Sequence, residues 1–137
     1  MRQAPEAVVL SIGEELLDGR IQDRNASFLA TQLRRLGIRV TSIQTIGDQP
    51  GELAQVLNKL DGSVAIIVSS GGLGPTVDDR VRSDVAQVVG RGMQDIPGAV
   101  EGLQQIHQRV FKGRPAPAAF LDQGRIPAGS LALANSA

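Results

Sequence analysis

The sequence predicts an α/β domain built on a mostly parallel sheet with helices on both faces. Three observations predict it. Short apolar stretches, Ala7 to Ile12, Ile38 to Ile46 and Val64 to Ser70, alternate with stretches whose apolar residues recur at helical spacing. That spacing leaves room for a helix between successive strands, the right-handed crossover that parallel neighbours need. The third stretch, Val64-Ala65-Ile66-Ile67-Val68-Ser69-Ser70, is rich in β-branched residues and reads as a buried strand.

Taken in order, Ala7 to Ile12 forms the first strand, and Gly13-Glu14-Glu15-Leu16-Leu17-Asp18-Gly19 ends it with two acids between glycines. Asp23 to Asn25 supplies capping residues for a helix running to about Leu36, with Ala26, Leu29, Leu33 and Leu36 on one face. Gly37 stands where a helix C-terminal glycine belongs. Ile38 to Ile46 alternates apolar with polar residues and reads as the second strand. Gly47-Asp48-Gln49-Pro50 then opens a helix on Leu53, Val56, Leu57 and Leu60. After the Val64–Ser70 strand, a new helix is expected to open at Thr76 to Asp79 (Thr76 as its cap) and to run on Val81, Val85, Val88 and Val89 to Gly90. A further helix over Val100 to Phe111 carries Leu103, Ile106 and Val110, with His107 on its polar side and without a role. Leu131 to Leu133 reads as a last strand.

With 137 residues, the chain is long enough for one domain with a real core. Lys and Arg together number 14, as do Asp and Glu, so no basic excess points to nucleic acid or an anionic membrane. The absence of cysteine excludes disulfides and thiolate chemistry, and a single histidine excludes His/Cys zinc sites. Three Phe are the only aromatic residues, too few for base-stacking platforms. No signal-peptide pattern and no membrane-length apolar run is present, and a cytoplasmic protein is expected.

The chemistry centres on the turn Gly71-Gly72-Leu73-Gly74-Pro75-Thr76 and the pair Asp78-Asp79 after it. Glycine-rich backbone running into a helix start makes a phosphate cradle from free amides and the positive end of the helix dipole. No Gly-Lys-Ser/Thr closes it, so it is not a Walker loop, and Val77 stands where a dinucleotide fingerprint has its third glycine. A carboxylate about 5 Å from a phosphate oxygen repels it by about 3 kcal/mol at an effective dielectric near 20. Acids beside such a cradle make sense with a divalent cation between them and the phosphate; the alternative is that they only complement the helix dipole. Glu14 and Glu15, Asp48, and Asp78 and Asp79 all follow strands, where ligands of parallel sheets lie. Oxygen-only ligands suit a hard cation held by Asp48 with Asp79 or Asp78 and by substrate phosphate. Glu15 is either a ligand contact or a first-turn helix residue. Asn25 and Asp23 are helix caps first and ligand contacts second.

Three motifs carry a resemblance: Gly13-Glu14-Glu15-Leu16-Leu17-x-Gly-x-Ile-x-Asp23-x-Asn25, Gly47-Asp48, and Gly71-Gly72-Leu73-Gly74-Pro75-Thr76-x-Asp78-Asp79. In this order and spacing they closely resemble the N-terminal domain of competence/damage-inducible protein CinA, within the molybdopterin-binding (MoaB/MogA/MoeA-like) superfamily. The resemblance covers nearly the whole chain and implies one domain over residues 1–137, folded as a three-layer α/β/α sandwich. It implies hydrolysis of a nucleotide diphosphate such as ADP-ribose with magnesium, manganese or cobalt, and a homo-oligomer. A non-catalytic module for a pterin or nucleotide phosphate is the alternative, with molybdopterin adenylyl transfer ranked below both. Carried over by position, Asp48 and Asp79 match the family's catalytic, metal-associated acids, with Asp78 beside them. Gly71, Gly72 and Gly74 match its phosphate loop, joined by Thr76, and Glu15 matches the acid of its first motif. Three departures stand out: Val81 and Arg24 where relatives have Thr, and an end at Asn135-Ser136-Ala137 where they continue into a Gly-Thr-Ala-Pro-Gly-like loop. A chain shortened at its C-terminus and lacking the deamidase domain is therefore expected.

Overall fold

A computed structural model describes residues 4–60 and 62–133. It is a mixed α/β protein whose main sheet is parallel. The chain divides into two compact units, Met1–Gly72 and Leu73–Ala137, so the division falls inside the glycine turn.

The first unit holds β1 (Glu6–Ile12), α1 (Glu14–Leu17), α2 (Asn25–Arg35), β2 (Arg39–Ile46), α3 (Glu52–Leu60) and β3 (Ile66–Ser70). Its three strands are parallel in the order β2-β1-β3. β1 is the middle strand and has the apolar sequence to match: Ala7, Val8, Val9, Leu10 and Ile12 are all buried. The period of two sends Ala7 and Val9 to one face, where they form a core with Ala26 and Leu33 of α2. Leu29, Ile38, Val40, Ile66 and Val68 pack around that core.

α2 ends as its sequence requires. Gly37 takes φ +77°, its amide donates to the Arg34 carbonyl, and the Ile38 amide reaches back to Leu33. This pair of bonds satisfies the last carbonyls and brings Ile38 over the same core as Leu33. Leu36, expected on the buried face, is 76% exposed, because the helix unwinds into this cap before Leu36 can turn inward. β3 also departs from expectation. Ile66, Val68 and Ser70 are half-buried but Ile67 and Ser69 are exposed, so the strand is covered on one face only.

The second unit holds α4 (Val81–Val88), β4 (Met93–Asp95), α5 (Ala99–Val110), α6 (Ala118–Leu121) and β5 (Arg125–Pro127). β4 and β5 pair antiparallel. Among the described residues the last strand is thus Arg125–Pro127 and not Leu131 to Leu133, which is irregular, with Leu131 and Leu133 more than four-fifths exposed. His107 corrects a second expectation. It is buried, stacked on Phe111 at 4.5 Å between ring centroids and met edge-on by Phe120 at 5.1 Å, while its Nδ1 lies 3.1 Å from the Arg114 carbonyl. Among the described residues, no helix is long and apolar enough to cross a membrane.

Candidate functional site

The order β2-β1-β3 has a functional consequence. From β1 the chain crosses to one side to form β2, then returns to form β3 on the other side. Strand order thus reverses between β1 and β3, and it is at the carboxyl ends beside such a reversal that parallel sheets open a crevice. A cavity of about 260 Å³ occupies this place, with Ser11, Glu15, Asp23, Asn25, Ser70 and Gly71 among its lining.

Each of these residues is placed by its local structure. Ser11 is the last residue of β1 on the α2 face and is 1% exposed. Glu15 lies in the first turn of α1 and also lines the cavity. Asp23 caps α2, its Oδ1 accepting a hydrogen bond from the Ala26 amide at 3.0 Å. Asn25 is not a cap. Its Nδ2 donates to Ser70 Oγ at 2.9 Å and ties the start of α2 to the end of β3. Gly71 closes the cavity because only a glycine fits: a Cβ there would lie 2.0 Å from the Ile12 carbonyl oxygen, and its φ is +100°.

Asp48 follows β2 at this same carboxyl edge and is half-buried. The carboxylates of Glu14 and Glu52 lie against the neighbouring Gly47, a gathering of acids that sequence spacing alone did not disclose for Glu52.

In the second unit the glycine turn has its own geometry. The expected helix start at Thr76 is a turn, and α4 begins only at Val81. Asp79 folds back over this turn. Its Oδ2 accepts from the Thr76 amide at 2.8 Å and the Thr76 hydroxyl at 2.6 Å, and a Cβ on Gly74 would touch the same oxygen. Partial burial pushes the Asp79 carboxyl up, but the hydroxyl and amide of Thr76, the Gly74 amide and the nearby charge of Arg82 together hold it below its ordinary range. Asp78 is exposed. The Asp23 carboxyl is likewise held low, first by the Ala26 amide and then by the Ser11 hydroxyl.

Ser11, Glu15, Asp23, Asn25, Ser70 and Gly71 are thus brought together in the first unit, and Gly74, Thr76 and Asp79 in the second. Ser11 and Ser70 were missed as site residues. Their signal was a hydroxyl near the carboxyl end of each of two apolar strands. Among the described residues, no three His, Asp or Glu side chains gather to hold a metal ion.

Comparison with known proteins agrees with this architecture. The family described as "Probable molybdopterin binding domain" matches residues 8–130. A CinA-like protein of Chlorobium phaeobacteroides is 38% identical over 128 residues, covering 93% of this chain and 30% of that protein. The crystal structure of the protein CinA with unknown function from Thermoplasma acidophilum superposes with a TM-score of 0.76 at 26% identity, covering 93% of this chain and 73% of that one. Tungsten cofactor synthesizing protein MoaB from Pyrococcus furiosus shares the fold, with a TM-score of 0.57 at 14% identity over 80% of this chain and 66% of that one. The chain spans less than half the length of the curated relatives it matches, 41% in Aeropyrum pernix and 30% in Chlorobium phaeobacteroides. The chain belongs to the molybdopterin-binding domain family, and within it is similar to CinA-like proteins.

Proposed function

We propose that this domain binds a small phosphorylated ligand of the pterin-phosphate or nucleotide type, with its phosphate at the Gly71, Gly72, Gly74 and Thr76 backbone. The observation that carries this reading is the cavity at the carboxyl ends of β1 and β3. Doubly wound sheets receive ligands where strand order reverses, and the family description names molybdopterin as what such domains bind. Titration calorimetry with a pterin phosphate, AMP and ADP-ribose tests it. Saturable binding of at least one of them supports the reading. Heats no larger than dilution for all three, in protein shown to be folded, end it.

Hydrolysis of a nucleotide diphosphate is the finer reading, and one observation favours it. Asp79 is kept ionised at the end of the glycine turn, as an acid that holds a cation or orients water must be. In this reading Asp48 and Asp79 hold magnesium, manganese or cobalt, with Asp78 beside them. The cation would offset charge on the diphosphate, and one carboxylate would orient the attacking water. ADP-ribose cleavage by the folded protein, lost in Asp79→Asn, is the expected result. Binding without cleavage leaves the domain a binding module.

A further inference from the structure

β2 is an edge strand, and among the described residues no strand pairs with its outer side. Edges of this kind are normally guarded by charges, prolines or bulges against pairing with another chain. β2 is guarded only near its start, where its register with β1 shifts between Ala7 and Val8 and Arg39 engages Glu6. From Ser42 to Ile46 the register is unbroken, and Ser-Ile-Gln-Thr-Ile carries neither charge nor proline. The Gly13 amide bonds to the Ile46 carbonyl. Ser42, Gln44 and Ile46 therefore turn their backbone groups to β1, while Ile43 and Thr45 turn theirs outward. α2 stands back from this edge and leaves a groove of about 450 Å³, with Thr31 and Arg34 on one wall and Val40 and the exposed Ile43 on the other.

The two ends of the strand differ in charge. Arg34 and Arg35, in the last turn of α2, join Arg39 at its start. At its finish stand Asp48 and the carboxylates of Glu14 and Glu52 against Gly47. A second copy laid antiparallel brings the basic end of each strand to the acidic end of the other. A parallel neighbour would set like charges together.

We propose that β2 is the docking edge for a second copy of this chain, the two β2 strands pairing antiparallel about Gln44 so that both sheets become one. Only residues whose groups point outward can exchange hydrogen bonds, and this centre sets Ile43 of each copy opposite Thr45 of the other. Ser42 then faces Ile46 and Gln44 faces its counterpart, all within the unbroken register and clear of the bulge.

The oligomeric state of the full chain tests this. Light scattering after size exclusion should give twice the monomer mass, returning towards monomer on about hundredfold dilution. High salt should weaken the dimer several-fold, since its charged ends are exposed. Thr45→Pro removes an outward amide and leaves the ladder to β1 intact, so it should give monomer with little change in Tm. Ile43→Lys, at an exposed position, should do the same and decides the matter if the proline variant fails to fold. The chain has no cysteine, so introduced thiols report cleanly. Gln44→Cys should form disulfide-linked dimers under mild oxidation, because non-hydrogen-bonded antiparallel partners have Cα atoms about 4.5 Å apart, within disulfide reach. Gln55→Cys, exposed on α3, should not. Monomer at every concentration would leave this edge to another partner or to none, and overturns the proposal. So does an oligomer that neither β2 variant dissociates and Gln44→Cys does not link.

Discussion

Asp79 Oδ2 accepts two hydrogen bonds from Thr76, one from its amide and one from its hydroxyl, so the donors of the glycine turn are engaged by the protein's own carboxylate. A phosphate arriving at Thr76 has to displace that carboxylate, and the released carboxylate would then repel it unless a cation lies between them. Removing the carboxylate should therefore help a bare anion. Asp79→Ala is expected to tighten binding of inorganic phosphate about tenfold in metal-free buffer, equivalent to ~1.4 kcal/mol. With magnesium present the proposed cation site requires the order to reverse, since Asp79 is one of its two carboxylates. Calorimetry in both buffers reads the two affinities, and equal affinities of wild type and variant in metal-free buffer would show that Thr76 is not where phosphate binds.

The same carboxylates set the acid limb of stability. Asp23 and Asp79 both have folded-state pKa values below the ordinary aspartate value near 3.9. As pH falls through that region, the unfolded chain takes up these protons before the folded one does. Stability from these two groups is therefore complete above the ordinary value and drains away as pH falls through the lowered one. Urea midpoints should be flat from neutrality to about pH 5 and fall below about pH 4. The double variant Asp23→Asn, Asp79→Asn should show a shallower acid fall.

The three parallel strands are legible because each is five residues or longer, as an apolar run or a clean alternation, and their spacing leaves room for helices. Strand order is not, since periodicity says which face a residue takes and nothing about which neighbour its strand finds. β4 and β5 have three residues each, too few to show alternation, so the last strand was assigned to the more apolar Leu131 to Leu133. The glycine turn was recognisable by composition, yet its inner pairing was hidden. Thr76 and Asp79 carry the same types at the same spacing as a helix cap and its partner, but here that spacing closes a turn ahead of the helix. The cavity residues were half visible: Glu15, Asp23 and Asn25 stood out as polar residues after a strand, while Ser11 passed as part of one.

The sequence places His107 on the polar side of its helix without a role, and its burial makes a definite prediction. Replacing it with Ala removes the stack on Phe111, the edge contact with Phe120 and a partner of the Arg114 carbonyl. The expected loss is about 3 kcal/mol, in the range for deleting a buried ring. His107→Phe keeps a ring between the two phenylalanines and should lose only ~1 kcal/mol, the worth of one hydrogen bond. Urea unfolding of the three proteins checks the order; an unchanged midpoint in the Ala variant would contradict the packing described.

Gly71 and Gly19 form a matched pair for testing why the turn needs glycine. Both have positive φ, +100° at Gly71 and +77° at Gly19, so a side chain strains the backbone at either. Around Gly19 nothing lies within 4 Å of an added Cβ, whereas at Gly71 that atom would sit 2.0 Å from the Ile12 carbonyl oxygen. Gly19→Ala should therefore cost only the backbone term, about 1 kcal/mol. Gly71→Ala must in addition push the end of β3 away from β1, which is expected to bring the loss to about 3 kcal/mol or more. The shift would also widen the cavity that Ser11 and Ser70 line, so ligand affinity should fall in the Gly71 variant and not in the Gly19 one. Thermal unfolding and calorimetry on the two variants give both readings. Equal losses of stability would mean that backbone conformation alone, and not the close approach to Ile12, makes glycine necessary at position 71.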